Sequence, residues 1–539
     1  MIRIKNVAVP VDAATELTIL AAKRLKLLPQ DIKKVEIVRR AIDARRYHGA
    51  PIQFVYILDV KTSVSEKKIL QKLKKDKNIE LVEPVKPLNL NFAACKGDKR
   101  PLIVGFGPAG MFAALTLARA GFKPLVLERG ADVDTRHLDI LKFWQGGTLN
   151  EQSNVQFGEG GAGTFSDGKL TTRINDRHIA DVIDAFIAAG APAEIKYLQK
   201  PHIGTDLLRG IVKNIRLEII RLGGEVRFNS QVTDIEAKDG KIAAVIVSND
   251  ERIVCDTLFM GIGHSARDTY KMLLNKGIFL EPKPFAMGVR IEHPQEFIDR
   301  AQYGKDAENL NLPVADYALT YKDKATNRGA YSFCMCPGGQ VVAATSLAGH
   351  VCTNGMSNYK RNSGIANSAL LVQVSTADFD SGVLGGMELQ EKVEKAAFKL
   401  GGSNYFAPVQ TVGDFLNGTS GSREFLTMPT YQPGITPADL HSCLPQFITA
   451  TLEGALPYFD TKIKGFANKG AVMTGVEARS SAPCRICRND NFQSVSLTGL
   501  YPIGEGAGYA GGIMSAAVDG MKAALAFLTK NVHTNKYAK

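Results

Sequence analysis

The sequence has no long apolar run. No stretch approaches the roughly 18 consecutive apolar residues of a membrane-spanning helix, although apolar residues make up 45% of the 539 residues. The N-terminus, MIRIKNVAVPVDAATE, lacks the succession of charged, apolar and small residues that marks a secretory signal. We therefore expect a cytoplasmic protein with sizeable cores and no membrane span. The length predicts roughly three or four domain-sized units.

Cysteine is scarce, with eight residues in the whole chain. This number is too small for a disulfide scaffold in a chain of this length. Two close pairs, Cys334/Cys336 and Cys484/Cys487, have spacings that could serve a zinc site or a redox pair. Because arginines flank the second pair, we interpret the cysteines as mostly reduced core residues and predict no metal site.

Acidic residues do not balance the basic ones, and the net charge is +12. Residues 1–100 hold 22 Lys and Arg against 11 Asp and Glu, whereas the remainder holds 44 against 43. Within the first part, Arg39–Arg40, Arg45–Arg46 and Lys67–Lys77 are clustered and could contact nucleic acid, a partner or an acidic substrate. No aromatic stacking motif of the RNA-binding type accompanies them, so a solvated surface is favoured.

The basic N-terminal part predicts a small unit of its own. Apolar alternation and helical periodicity give the order β-α-β-β-α-β over residues 1–83, which suggests a ferredoxin-like α+β domain within residues 1–95. Pro84–Arg100, with two prolines and a charged end, is typical of a linker.

The stretch Pro101–Gly130 predicts a dinucleotide-binding unit. An apolar run leads into G-x-G-x-x-G at Gly105, Gly107 and Gly110, followed by a helix of small residues and a second apolar run before Glu128. The first glycine permits a tight turn, the second lets backbone approach a pyrophosphate, and the third allows close helix packing. Glu128 is placed to bind a ribose, and its charge argues against NADP here. These residues alone allow NAD or FAD.

A glycine-rich stretch at 157–173 contains a partial phosphate-loop spacing. Gly163–Lys169 has the pattern G-x-x-x-x-G-K, but Leu170 stands where a magnesium-binding hydroxyl is needed. No clear apolar strand leads into it, so an ATPase is not expected. A loop whose backbone approaches another part of the same cofactor fits better.

A second cofactor-type turn lies near the C-terminus. An apolar lead enters Gly504–Gly506, and Gly511–Gly512 opens a long helix of small residues. Together with the motifs at 105–130, 158–170 and 475–486, this stretch resembles FAD-dependent oxidoreductases of the glutathione-reductase-like superfamily. More closely, the chain resembles the bacterial group of uncharacterised FAD-dependent or NAD(FAD)-utilising dehydrogenases, over most of its length.

The resemblance implies an α/β fold with a resident FAD. A Rossmann-like FAD-binding domain would be assembled from residues 96–269 and 481–539, with residues 270–480 as an inserted α+β substrate or cap domain. The FAD-binding positions that the resemblance implies are Gly105, Gly107, Pro108, Ala109, Gly110, Glu128, Arg129, Gly161, Lys169, Val232, Gly261, Gly504, Glu505, Gly512 and Ile513.

By the same resemblance, the three turn glycines would meet the pyrophosphate, Glu128 the adenosine ribose and the Val232 backbone the adenine. Gly504–Glu505 would meet the ribityl and phosphate region, and Gly512–Ile513 the pyrimidine edge of the flavin. Two positions depart from the superfamily pattern. Glu505 replaces the usual Asp, and Met260–Ile262 replaces Ala-Thr-Gly, so only the backbone role of Gly261 transfers.

The expected function is hydride transfer between an unidentified organic substrate and FAD. NAD(P)H would dock only transiently, because a single complete dinucleotide unit is visible. Lys169 or Arg173 could orient a carboxylate substrate, and His178 could move a proton. The alternative is a flavoprotein that mainly binds RNA or protein through residues 1–95. No zinc-protease, serine-elbow or cysteine-nucleophile motif competes.

Overall fold

A computed structural model describes residues 1–14, 16–45, 51–83, 88, 90, 100–380 and 382–536. Most of the predicted linker Pro84–Arg100 lies outside these residues, as does Arg46 of the basic cluster. Within them, no helix combines the length and the apolar character needed to cross a membrane.

The N-terminal part forms a four-stranded antiparallel sheet with two helices. Ile4, Leu58, Leu25 and Ile69, from two strands and both helices, pack in one apolar cluster. The predicted order of elements is confirmed. These elements are β1 (Ile2–Pro10), α1 (Leu17–Leu25), β2 (Ile32–Asp43), β3 (Gln53–Thr62), α2 (Glu66–Leu73) and β4 (Ile79–Leu81), and the sheet order is β2-β3-β1-β4.

This first sheet is anchored on the rest of the chain through β2. The backbone N–H of Arg40 donates to the carbonyl of Tyr197, and the N–H of Gln199 donates to that of Arg40. The Arg40 guanidinium lies over the rings of Phe54 and Tyr197, 5.2 and 5.6 Å from their centroids. Ile52 is buried in the large apolar cluster of the body. Arg40, part of the predicted basic cluster, therefore serves packing within the protein.

The dinucleotide unit predicted at Pro101–Gly130 folds as strand, helix and strand. Its strands are short and fully apolar, as expected for a parallel sheet covered on both faces. A small antiparallel meander follows. The elements of this part are β5 (Leu102–Val104), α3 (Pro108–Arg119), β6 (Leu125–Leu127), α4 (Val133–Trp144), α5 (His178–Ala188), α6 (Thr205–Arg221), β7 (Glu225–Arg227), β8 (Val232–Lys238), β9 (Lys241–Val247), β10 (Arg252–Val254), β11 (Leu258–Met260) and α7 (Arg267–Asn275).

A second large sheet follows in the chain. Its elements and their neighbours are β12 (Leu280–Pro282), β13 (Phe285–Pro294), α8 (Gln295–Tyr303), β14 (Thr320–Lys322), β15 (Gly329–Cys336), β16 (Gly339–Ala343), β17 (Thr353–Ser357), β18 (Ile365–Val374), α9 (Gly385–Leu400), β19 (Ala407–Thr411), α10 (Val412–Asn417), β20 (Ile435–Pro437), α11 (Gln446–Lys462), β21 (Val472–Glu477) and β22 (Cys484–Ile486). Seven of these strands form one sheet, ordered β14-β15-β18-β13-β21-β19-β20, in which only β19 and β20 run parallel.

The chain then returns to the parallel sheet with β23 (Leu500–Pro502) and α12 (Ile513–Lys536). β23 pairs with β11, which gives the parallel order β23-β11-β5-β6-β7. α12 packs against α3, and a Cβ on Gly520 would lie 1.9 Å from the carbonyl oxygen of Ala109. The parallel sheet is therefore assembled from both ends of the body, with the seven-stranded sheet between them in sequence.

Candidate functional site

A cleft of about 1870 Å³ separates the two large sheets. One wall is formed where the parallel strands end, at Val104, Glu128, Gly261 and Ile503. The facing wall comes from β13, β15 and β21 of the seven-stranded sheet. Ligands of open α/β sheets bind outside the carboxyl ends of the strands. The cleft also exceeds the roughly 300–1000 Å³ of an ordinary small-molecule site, so it has room for a dinucleotide and a second ligand.

The three turn glycines have different surroundings. Gly105 has a φ of +89°, and a Cβ there would lie 2.3 Å from the Gly261 carbonyl oxygen. A Cβ on Gly110 would lie 2.0 Å from the oxygen of Gly105, so close packing of α3 requires glycine. Gly107 faces the cleft, where a Cβ would meet only Gly161 Cα, at 3.6 Å. This is the division of roles that the spacing predicts.

The N-terminus of α3 opens into the cleft without a side-chain cap. Gly107 occupies the cap position, Pro108 follows in the first turn, and no side chain accepts from the first N–H groups. Gly107, Pro108 and Ala109 all line the cleft. Free N–H groups together with the positive end of the helix dipole form an anion site.

Glu128 is buried at the cleft wall and held by backbone donors. Its carboxylate accepts from the N–H of Phe106 at 2.7 Å and from those of Gly130 and Gly158 at 2.9 Å. Only 4% of the side chain is exposed. These bonds fix both oxygens in place. Oε1 accepts two of them, whereas Oε2 accepts one and retains a lone pair for a further donor.

Arg129 and Val232 line the same end of the cleft. The Arg129 guanidinium makes two hydrogen bonds to the carboxylate of Asp268, at 3.0 and 2.9 Å, and lies 4.1 Å from the centroid of Phe157. Val232 is the first residue of β8. Arg129 is thus fixed by side chains, and it covers one edge of the cleft.

The C-terminal turn completes this wall. Gly504 has a φ of +76°, and a Cβ there would lie 2.6 Å from Ala109 Cβ, so this residue supports packing and does not line the cleft. Gly110 likewise supports packing and does not line the cleft. Gly512, with a φ of +99° and no atom within 4 Å of an added Cβ, and Ile513 do line the cleft, at the start of α12.

The Glu505 carboxylate lies in the cleft and accepts from the N–H of Gly512 at 3.3 Å. Burial raises its pKa to about 7, while this hydrogen bond and the Lys283 ammonium oppose the rise. Lys283 also lines the cleft. A carboxyl group that titrates near neutral pH therefore lies beside the N-terminus of α12.

The predicted catalytic residues separate in the structure. Lys169 and Arg173 line the cleft, and Lys169 Nζ donates to the Met335 carbonyl. His178 does not line it: the side chain is buried at the start of α5, with Nδ1 2.8 Å from an Asp181 oxygen. The structure therefore does not bring His178 to the cleft with Lys169 and Arg173, and its proton-transfer role stays a prediction from the sequence. The start of α5 follows the glycine-rich loop in sequence, but the His178 side chain at this start is buried.

Sequence reasoning missed a buried ion pair behind the facing wall. Arg290 on β13 is fully buried and donates to both oxygens of Glu477 on β21, which lines the cleft. Its other donors reach the side chains of Asn354 and Asn367 and the carbonyl of Cys334, each at 3.0 Å. All five guanidinium donors are therefore used.

A second buried cluster lies nearby. The Glu394 carboxylate, which has no exposed surface, binds Arg267 on one side and Arg479 on the other at 2.7–3.0 Å. Burial alone would raise the pKa of Glu394, but the two guanidiniums lower it to about 2. His264 lies in the cleft, where burial and the same arginines lower its pKa to about 4, so it is neutral at pH 7. No local sequence signal connects these positions.

Both close cysteine pairs lie in the described part of the chain. All its cysteines are free thiols, and no group of three or more His, Cys, Asp or Glu side chains is placed to hold a metal ion. Cys334 is an exposed residue of the cleft wall, and Cys336 Sγ donates to the carbonyl oxygen of Cys334 at 3.2 Å. Cys484 and Cys487 are buried on and beside β22.

A protein from Clostridium beijerinckii, described as uncharacterized, is 50% identical to this chain over 528 residues, which are 97% of this chain and 98% of that protein. The two belong to one family. Residues 284–480, which include the seven-stranded sheet, match a family model described as "FAD-dependent protein, C-terminal domain-like". Residues 1–61 match a domain of unknown function, DUF8436.

Solved structures show more distant likeness. CtdE in complex with FAD has 13% identity and a TM-score of 0.35, over 82% of this chain and 89% of that one. Glycine oxidase from Bacillus cereus has 11% identity and a TM-score of 0.31, over 81% of this chain and 97% of that one. TM-scores this low say nothing about the activity of this chain.

The residues of the cleft fit FAD. The side-chain-free surface at Gly107 and the uncapped start of α3 leave space and N–H groups without a side-chain partner where a dinucleotide needs them, and the surface at Gly512 leaves space at the start of α12. The match to FAD-dependent proteins agrees. FAD is the cofactor of this protein.

Proposed function

We propose that this protein is an oxidoreductase that transfers a hydride between a small organic substrate and FAD. The observation that carries this proposal is the cleft itself, in which a dinucleotide wall faces a second wall of basic and aromatic side chains. The space beyond the dinucleotide wall is accessible to a second ligand. FAD supplies the two-electron chemistry when bound, and the protein supplies orientation, electrostatics and access.

The contacts to FAD are proposed on the positions named from the sequence. Thirteen of the fifteen line the cleft, and the other two, Gly110 and Gly504, shape the turns behind it. We assign the start of α3 to the pyrophosphate, Glu128 to the ribose and Val232 to the adenine. Glu505 and the start of α12 take the ribityl and pyrimidine end.

The start of α12 would favour the reduced flavin. The N–H groups and the positive end of the helix dipole at Gly512 stabilise negative charge on a neighbouring group, typically by about 0.3–1 kcal/mol and up to ~2 kcal/mol where partly buried. The adjoining Glu505 carboxyl accepts from the Gly512 N–H. Its ionisation therefore opposes this stabilisation.

The finer family and domain assignments remain part of this proposal. We place the chain among glutathione-reductase-like, NAD(FAD)-utilising dehydrogenases, with residues 1–95 as a ferredoxin-like unit and 270–480 as an insert between the two parts of the FAD domain. NAD(P)H is assigned a transient role as co-substrate, because the chain contains one complete dinucleotide unit.

The test is anaerobic reduction of the purified flavoprotein. FAD-loaded protein is mixed separately with NADH, NADPH and a panel of small organic acids, alcohols and amines, and loss of the oxidised flavin absorbance is followed. Reduction by one donor, and reoxidation by a second compound with product formation, is the expected result. A flavin that dithionite reduces but no donor in the panel reduces would count against the proposal.

A further inference from the structure

The charged residues of the cleft are unevenly distributed. The outer part, where residues 169–174 and 318–334 line the space, contains Lys169, Arg173, Lys322 and Arg328 and no carboxylate among its lining residues. The carboxylates of the cleft lie elsewhere in the lining, at Glu128, Asp167, Glu477 and Glu505. A region of one charge sign favours a ligand of the opposite sign.

Two of the four outer cations already have partners. Arg328 makes two hydrogen bonds to Asp378, at 2.8 and 2.7 Å, and Lys169 donates to a main-chain carbonyl. Arg173 is exposed, and within the described residues it makes no hydrogen bond or ion pair. Its five donors in a planar fork match a carboxylate in a bidentate arrangement. Arg173 is thus a cation that is available to a ligand.

Aromatic side chains lie beside this cation. Tyr331 and Phe333 are two residues apart on β15, so they share one face of the sheet, and their ring centroids are 6.3 Å apart in an edge-to-face arrangement. Arg173 and Tyr331 line the same part of the cleft. Burial raises the pKa of Tyr331, and the positive charge of Arg173 opposes the rise. Phe333 is 37% exposed and Ile174 39%, both in the cleft lining.

Exposed apolar side chains inside a cleft mark a surface that a ligand covers. We propose that the outer cleft binds an aromatic carboxylate, with Arg173 holding the carboxylate and Tyr331 and Phe333 contacting the ring. This assignment rests on the proposed function, because it names the substrate class of the same cleft. A ligand of this site must therefore carry an anionic group and an apolar ring in one molecule.

Binding can be measured without turnover. FAD-loaded protein is titrated with cinnamate, with cinnamamide and with hexanoate, and affinity is followed by calorimetry and by the flavin difference spectrum. We expect cinnamate to bind about ten- to a hundredfold more tightly than cinnamamide, since the amide loses the charged hydrogen bonds. Hexanoate, which has the charge but no ring, is expected to be weaker than cinnamate as well.

Two variants separate the charge from the ring. R173A should weaken cinnamate by about ten- to a hundredfold and leave the affinity for cinnamamide unchanged. Y331L should weaken cinnamate and leave hexanoate unchanged. R221A is the matched control, because Arg221 is exposed at the end of α6 and lies outside the cleft lining. It should bind all three compounds like the wild type.

The proposal is overturned if cinnamamide binds as tightly as cinnamate. It is also overturned if R173A binds cinnamate as tightly as R221A does. Binding of benzyl phosphate in place of cinnamate, abolished by R173A, would assign the site to phosphates and also overturn it. If the protein binds cinnamate through Arg173 but no donor reduces its flavin, this inference stands and the proposed hydride transfer is wrong.

Discussion

The two walls of the cleft are made in different ways. The dinucleotide wall consists largely of backbone: glycine turns, two helix starts and a carboxylate held by three N–H groups. The facing wall depends on side chains, with buried arginines fixed by carboxylates that are distant in the sequence, one on a strand and one on a helix. Backbone recognition suits a shared cofactor, whereas side chains can vary with the substrate. Substitutions on the two walls should therefore affect different properties of the protein.

The largest effect is expected at Glu394 on α9, whose carboxylate fixes Arg479 of the facing wall. E394Q removes the charge that neutralises the buried Arg267 and Arg479 and leaves Arg267 with one more distant carboxylate, at 3.6 Å, which should lower the free energy of unfolding by about 3–5 kcal/mol. Urea denaturation measures it. E296Q is the control, since Glu296 pairs with Arg300 on the exposed surface of α8, where a loss of about 0.5 kcal/mol or less is expected. Equal stability of the two variants would show that the buried cluster does not support this wall.

The dinucleotide wall should respond to a single added carbon. G110A places a Cβ 2.0 Å from the Gly105 oxygen, and we expect loss of about 1–3 kcal/mol together with loss of bound FAD. G210A alters another helical glycine, one with no atom within 4 Å of the added Cβ, and should gain up to about 1 kcal/mol. FAD content and thermal unfolding are measured. Full FAD content in G110A would contradict the packing role.

A smaller effect is expected at Glu505, through pH. Its pKa is raised to about 7 from 4.5, so between these values the native state binds more protons than the unfolded state. In protein freed of FAD, stability should therefore fall as pH rises through this range, by about 1–2 kcal/mol for a partly exposed group. E505Q should lack this component of the profile. Identical profiles for wild type and E505Q would disprove the shift.

The smallest change is expected at Cys334, an exposed residue of the facing wall whose thiol is closely surrounded by protein atoms. These surroundings raise the pKa of the thiol to about 12, so at pH 8 its thiolate fraction is about a thousandth of that of an ordinary thiol. Iodoacetamide should label it far more slowly than free cysteine, as mass spectrometry of peptides would show. C334S identifies its signal. Rapid labelling would mean that the wall is more open than the structure indicates.

The sequence predicted the dinucleotide wall because its parts are close in the chain. Gly105, Gly110 and Glu128 lie within one strand-helix-strand unit, where spacing alone constrains geometry. The facing wall escaped prediction because its partners are far apart: Arg290 and Glu477 are 187 residues apart, and Arg267 and Glu394 are 127 apart. The position of His178 outside the cleft lining could not be predicted for a related reason. Proximity in sequence to a glycine-rich loop does not decide which face of the next helix meets the cleft.

One feature of the parallel sheet bears on synthesis of the protein in the cell. β5 and its turn emerge early from the ribosome, but β23 pairs with β11 only after roughly four hundred further residues have been made. α12, which completes the same wall of the cleft, follows β23. The nascent chain therefore exposes an unfinished nucleotide site until these elements have been made, and the complete site is available to FAD only after that point.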